Sequence, residues 1–284
     1  MTLGIAEVNR PGFANPSILS RANVLGVGIN AINIEAATLL SDTLIRRNGR
    51  AYVCTADVHT IIEAQSDPYL REVLNASFMT VPDGMPLVWA ARLQGYRRIQ
   101  RVYGPDFMMA FCRFGVSRGY RHFFCGGKPG VVDRLSANLV AKIPGLHIVG
   151  TYTPPYRPLN PDEEAELAGR IAISRPNVVW VGLGSPKQDR FLAQYCGQFE
   201  TNLMVGVGAA FDFHAGVVKE APRWMHKTGL QWIHRVIQEP RRLWKRYCIS
   251  VPSFLWKIGL QFSGIRTFSS RISGDCEPIE SARS

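Results

Sequence analysis

The sequence predicts an α/β fold, a Rossmann-like and mostly parallel sheet covered by helices, with a basic helical appendage at its C-terminal end. Three observations carry this. Short β-branched or aromatic runs alternate with segments of helical period. Glycine-bearing turns follow several of the strand-like runs, where open α/β sheets place their ligands. From about Met225 the strand pattern stops, and a basic, tryptophan-bearing helical pattern replaces it.

The elements follow in order. Strands are predicted at 24–29 (VLGVGI), 51–55 (AYVCT), 78–81 (FMTV), 122–125 (HFFC), 147–149 (HIV), 178–181 (VVWV) and 203–207 (LMVGV). Helical spacing of apolar residues predicts helices over 35–47, 85–93, 107–118, 131–142, 161–174 and 187–198. The helix from Pro161 has a complete entry signal: Asn160 to cap, proline in the first turn, and Glu163 to close a capping box. Residues 1–20 and 263–284 are polar and aperiodic and read as loose ends. The expected organisation is a core over 21–224 and an appendage over 225–262.

With 284 residues the chain can bury a substantial core, and its net charge of +11 calls for an anionic partner. The charge is concentrated. Lys219, Arg223, Lys227, Arg235, Arg241, Arg242, Lys245 and Arg246 stand against Glu220 and Glu239, which leaves six net positive charges in one segment. Interleaved Trp232, Trp244, Tyr247 and Trp256 give it the makeup of an interfacial helix, with Trp and Leu on one side and Arg on another. No nucleic-acid module surrounds these residues, so nucleic acid is not the expected partner. Six scattered cysteines without metal-ligand spacing read as reduced thiols of a cytosolic protein. No N-terminal signal pattern and no apolar run of about 20 residues is present, so membrane contact is expected to be peripheral.

Candidate site residues lie just after the strands: Thr55 and Asp57, Asp83, Gly126 and Gly127, Gly182 and Gly184 with Lys187 and Gln188, and Gly206 with Gly208. Glycine there lets backbone approach a phosphate or sugar, and the next helix offers free amides to an anion. Asp83 has two readings, a general base on an acceptor hydroxyl or the cap of the helix through Leu93. Gln188 likewise either meets a ligand or closes a capping box begun by Ser185, with Pro186 at the first helical position. Lys187 reads as a diphosphate partner or as a solvated first-turn residue. Gly26-Val-Gly28-Ile-Asn-Ala31 formally fits a dinucleotide fingerprint, which keeps a nucleotide-dependent oxidoreductase as the alternative enzyme class. A scaffold that binds a phosphate-bearing ligand or lipid without catalysis is the non-enzymatic alternative. His214, in Asp212-Phe213-His214, lacks the further spaced ligands that a metal needs.

Longer motifs add a resemblance. Thr55-Ala-Asp57, PDGMPLV from Pro82, Arg101-Val-Tyr-Gly104-Pro-Asp106, GLGSPKQ from Gly182, and the run GVGAAFDFHAG…APRWM…GLQW…R…EPRRL…RY closely resemble the WecG/TagA/CpsF bacterial glycosyltransferases, over about residues 22–255. The resemblance implies an inverting transferase that moves a hexose from a UDP-sugar to a polyprenyl-diphosphate-linked sugar at the cytoplasmic face of the membrane. The product would enter exopolysaccharide, capsule or another cell-envelope polymer. It implies that Asp83 is the base, that Thr55 and Arg101 are active-site contacts, and that Arg235, Arg242 and Arg246 of the appendage reach the UDP diphosphate. No obligatory metal or other cofactor is implied, and self-association is. The family usually carries asparagine at Asp57, where a carboxylate would raise the pKa of Asp83 by like-charge repulsion. Donors in the family include glucose, N-acetylmannosamine and N-acetylmannosaminuronic acid, and the PDGMPLVW and PPYRPL wording favours glucose.

Overall fold

In the computed structural model of the chain, residues 20–222, 224, 225 and 228–269 are described, the side chains of Arg242 and Lys245 excepted. The loose ends expected over 1–20 and 263–284 therefore lie mostly outside the described residues.

Six parallel strands form the central sheet: β3 (Ala51–Ala56), β4 (Met79–Pro82), β5 (Arg121–Gly126), β6 (His147–Tyr152), β7 (Val178–Gly182) and β8 (Leu203–Gly206), in the order β4-β3-β8-β7-β5-β6. Each strand the sequence predicts in this region is present. β3, β4, β7 and β8 are buried throughout except for Gly182, as helices on both faces require. One face carries Phe123, Val179, Val181 and Met204, and the other carries Phe124, Val178, Trp180 and Val205. Trp180 anchors the second face, its ring edge-on to Phe107 at 6.1 Å and its Nε1 donating to His122 Nδ1 at 3.1 Å. Burial pushes the His122 imidazole down to about 4, so it is the neutral acceptor that the indole needs.

The strand predicted at 24–29 is not one strand. β1 (Arg21–Val24) and β2 (Val27–Asn30) form an antiparallel hairpin whose two-residue turn, Leu25 and Gly26, has φ of 52° and 83°. Both turn residues are left-handed, as the tightest hairpins require. Gly26 is thus a hairpin turn, and Gly28 is a strand residue whose N–H donates to Asn75 Oδ1 at 2.8 Å. The dinucleotide fingerprint needs its first glycine in a strand-to-helix turn, so the oxidoreductase reading loses its motif here.

The helices are α1 (Ile34–Arg46), α2 (Val58–Ser66), α3 (Pro68–Ala76), α4 (Met85–Leu93), α5 (Gly104–Val116), α6 (Val131–Lys142), α7 (Pro161–Ser174), α8 (Lys187–Tyr195), α9 (Ala210–His214), α10 (Gln231–Gln238) and α11 (Pro240–Phe262). α7 has the predicted capping box, with Asn160 Oδ1 accepting from Glu163 N at 2.8 Å and Glu163 Oε2 accepting from Asn160 N at 2.9 Å. Asp67 separates α2 from α3 and caps the latter through Leu70 N.

α11 runs back over α2 and reaches the hairpin. His59 Nδ1 lies 3.0 Å from Ser250 Oγ, Gln261 Oε1 accepts from Leu25 N at 2.8 Å, and Phe254 is buried in the core. Beyond the helix, Phe268 O accepts from Asn23 Nδ2 at 2.6 Å. Among the described residues no helix is long and apolar enough to cross a membrane.

Candidate active site

β4, β3 and β8 are neighbours, and their carboxyl ends form the edge outside which open α/β sheets have their ligand cleft. Thr55, at the end of β3, donates its hydroxyl to Gly206 O of β8 at 2.8 Å and joins the two strand ends. Asp57 caps α2, its Oδ1 accepting from Thr60 N at 2.8 Å and Thr60 Oγ1 at 2.9 Å, and its Oδ2 accepting from Arg246 Nη2 at 2.9 Å. Burial alone would raise the Asp57 carboxyl, but Arg246 and the Thr60 N–H outweigh it and hold it below the usual carboxylate range.

Asp83 follows β4, its N–H donating to Ala56 O at 2.8 Å. It does not cap α4, whose N-cap is Gly84 with no side-chain cap. Its Oδ1 accepts instead from Gly104 N at 2.8 Å, at the amide end of α5, because the chain returns to β4 through Val102 N to Pro82 O at 2.8 Å. Arg101, on that returning stretch, donates Nε to Asp83 O and lies over the Tyr103 ring at 4.1 Å. Burial pushes the Asp83 carboxyl up to about 6, against the pull of Arg101 and the Gly104 N–H; Asp57 adds to the rise and Arg235 opposes it. The expected repulsion from Asp57 is therefore real but secondary to desolvation.

The glycines divide by role. Gly126 and Gly182 are register partners on β5 and β7, and a Cβ on Gly126 would stand 2.6 Å from Gly182 O. A Cβ on Gly182 would stand 2.6 Å from the Phe211 ring, so packing alone demands glycine at both positions. Gly182→Ala should cost about 1–3 kcal/mol of stability, read as a lower urea midpoint at unchanged slope. An unchanged midpoint would show that Phe211 yields freely. Gly127 (φ 76°) abuts Val131 and Phe211, whereas Gly184 (φ 77°) has no atom near its Cβ position and faces open space.

The predicted capping box at α8 does not form. Pro186 takes the N-cap position after a cis Ser185–Pro186 peptide, and Ser185 Oγ is hydrogen-bonded to Asp189 Oδ2. Gln188 is buried and accepts from Gly208 N at 2.9 Å, bracing the turn after β8 against α8. The Cβ of any residue replacing Gly206 would meet this same amide at 3.2 Å. Lys187 is exposed, with its ammonium 3.7 Å from the centre of the Tyr156 ring.

The appendage lies against these strand ends, through Arg246 on Asp57 and Gln231 on Arg101. Arg235 of α10 pairs with Glu239 at 3.1 Å, lies 5.2 Å from the Phe213 ring centre and acts on Asp83. Arg246 of α11 points inward to Asp57, while Trp244, Ile249, Leu255 and Trp256 are exposed on the outside. Arg242 lies in α11 with its side chain outside the described residues. Gln231, at the start of α10, is a clamp that motif reading leaves unassigned. Its Oε1 accepts from Arg101 Nη2 at 2.5 Å and its Nε2 donates to Tyr103 Oη at 2.5 Å. Its place in the motif Gly229-Leu230-Gln231-Trp232 was the available signal.

Among the described residues no three His, Cys, Asp or Glu side chains gather as a metal site. His214 lies with Nε2 3.1 Å from Pro105 O, between α9 and the start of α5.

A parallel sheet with a carboxylate-and-arginine cleft at its carboxyl edge places the chain among α/β enzymes that act on ligands held outside the strand ends. Residues 22–267 match the model of the Glycosyl transferase WecG/TagA/CpsF family. The chain belongs to that family and is a hexosyltransferase. Two relatives carry the name N-acetylglucosaminyldiphosphoundecaprenol N-acetyl-beta-D-mannosaminyltransferase. The protein of Bacillus spizizenii is 30% identical over 216 residues, 76% of this chain and 81% of the relative. That of Bacillus subtilis is 29% identical over 218 residues, 77% of this chain and 82% of the relative.

Proposed function

We propose that the protein transfers a hexose, with inversion, from a UDP-sugar to a polyprenyl-diphosphate-linked sugar in the synthesis of a cell-envelope polymer. Asp83 takes the proton of the acceptor hydroxyl, whose oxygen bonds to the anomeric carbon as the bond from that carbon to the UDP oxygen breaks. The observation that carries this reading is the setting of Asp83: a carboxyl raised to about 6, anchored by Gly104 N and facing the arginine-bearing appendage. Arg235, Arg246 and Arg242 supply positive charge for the departing diphosphate, the office a metal fills elsewhere. Gly184 and the turn after β8 give the nucleotide a close backbone approach. The outward Trp244, Trp256, Ile249 and Leu255 suit the cytoplasmic surface of a membrane, where the lipid-linked acceptor resides.

The names of the two relatives specify N-acetylmannosamine transfer to N-acetylglucosaminyl-diphosphoundecaprenol, which makes UDP-N-acetylmannosamine the first donor to test and UDP-glucose, suggested by the PDGMPLVW wording, the second. A panel of UDP-sugars with a GlcNAc-diphosphate-lipid acceptor, read by UDP release, should show one productive donor. UDP binding without release under every donor would overturn the reading in favour of a binding scaffold.

A further inference from the structure

Asp189, in the first turn of α8, is fully buried and makes no ion pair among the described residues. A buried carboxyl without a cation keeps its proton more readily than an exposed one. Its Oδ2 meets Ser185 Oγ, which lies 3.1 Å from Thr60 Oγ1. Thr60 Oγ1 is in turn 2.9 Å from Asp57 Oδ1, and Asp57 Oδ2 holds Arg246. Three oxygen–oxygen contacts therefore join two carboxyl groups through two hydroxyls.

Each contact needs one proton, and two hydroxyls carry two. With both carboxyls ionised, one contact must set lone pair against lone pair. A third proton completes the chain, and it must reside on one of the carboxyls. Asp57 receives the Thr60 N–H and the Arg246 guanidinium, both of which favour its ionised form. Asp189 is faced by the Ser185 hydroxyl, the Cys54 thiol of β3 and the negative charge of Asp57. The third proton belongs on Asp189.

We propose that Asp189 is a positioning residue: as a neutral acid it donates to Ser185, Ser185 to Thr60 and Thr60 to Asp57, holding the Asp57 carboxylate where it keeps Arg246 over the cleft. Burial, which raises the Asp189 carboxyl to about 6, supports this. The chain is complete below that value. As the pH rises through it, the third proton leaves and Asp57 can lose Thr60 Oγ1, one of its three donors. The other charged or titratable groups bearing on Asp57 are Arg246 and Tyr247 of α11, His59 of α2 and Asp83 after β4.

The link from Arg246 to the donor rests on the proposed function, whereas the proton on Asp189 does not. Infrared difference spectra of the full chain across a pH step through 6 should show the carbonyl band of protonated carboxylic acid. Asp83 contributes to it as well, so the Asp189→Asn chain should lose part of the band and Asp83→Asn another part. Calorimetry with UDP supplies the second readout. Ser185→Ala and Asp189→Leu should each weaken UDP about fivefold, the loss of one hydrogen bond. Asp189→Asn, whose amide always donates, should recover most of that affinity and titrate less with pH. An acid band undiminished in Asp189→Asn overturns the proposal, as does an Asp189→Asn chain that binds UDP as weakly as Ser185→Ala. If UDP binds none of the proteins, the donor reading fails and the infrared result still decides the proton.

Discussion

Replacing Asp83 with asparagine should lower transfer by about 10²–10⁴-fold, the usual contribution of a general base, while UDP still binds. Asparagine keeps the size of the side chain and an oxygen to accept from Gly104 N, so the turn after β4 and the start of α5 should stay in place. Only the capacity to take a proton is lost. The pH profile provides an independent check. A base works when ionised, so kcat/KM of the parent should rise as pH passes upward through about 6, the value to which burial lifts Asp83. Residual activity of the asparagine chain should lack that rise. Parental turnover by Asp83→Asn, measured as UDP release, would move the base elsewhere.

Removing the chain from residue 229 onward should abolish measurable transfer and membrane association together. The cut takes away Gln231, which holds Arg101 and Tyr103 beside Asp83, and also Arg235 and Arg246. It also removes the exposed Trp244, Ile249, Leu255 and Trp256. Since Phe254 is buried in the core, the truncation exposes core surface, and a full-length Arg246→Ala chain is the needed companion. That single change should cost about 10²-fold in transfer, as loss of one charge-stabilising donor does, with vesicle binding retained. Sedimentation with anionic vesicles and the UDP-release assay separate the two functions. Full transfer by Arg246→Ala would remove Arg246 from the donor site, and vesicle binding by the truncated chain would place the membrane contact outside the appendage.

Much of the architecture is legible from local pattern. The alternation of strand and helix signals survives in β3 to β8, and the Asn160 capping box forms as its spacing predicts, because both depend on residues close in sequence. The exceptions share a cause. The run 24–29 reads as one strand until Leu25 and Gly26 turn it, and Gly26 there serves a hairpin rather than a phosphate. Asp83 and Ser185 each have the right spacing to cap the next helix, yet a partner distant or buried in the fold takes their hydrogen bonds: Gly104 N for Asp83 and Asp189 for Ser185. Gln188 is likewise drawn to Gly208, twenty residues on.

The amino-acid sequence by itself determined the parallel α/β class, the glycosyltransferase family and the candidate residues at the strand ends, since periodicity, turn chemistry and long motifs are properties of neighbouring residues. Only the tertiary structure decided what those residues meet. It brought Asp57, Asp83 and the ends of β3, β4 and β8 to one cleft, turned Arg235 and Arg246 inward with the tryptophans outside, and lined up Asp57, Thr60, Ser185 and Asp189. The physical reason is that desolvation and charge pairing act through space. Asp57 and Asp189 are the same residue type, yet an arginine 189 positions away holds the carboxyl of one below the usual range while burial raises the other to about 6.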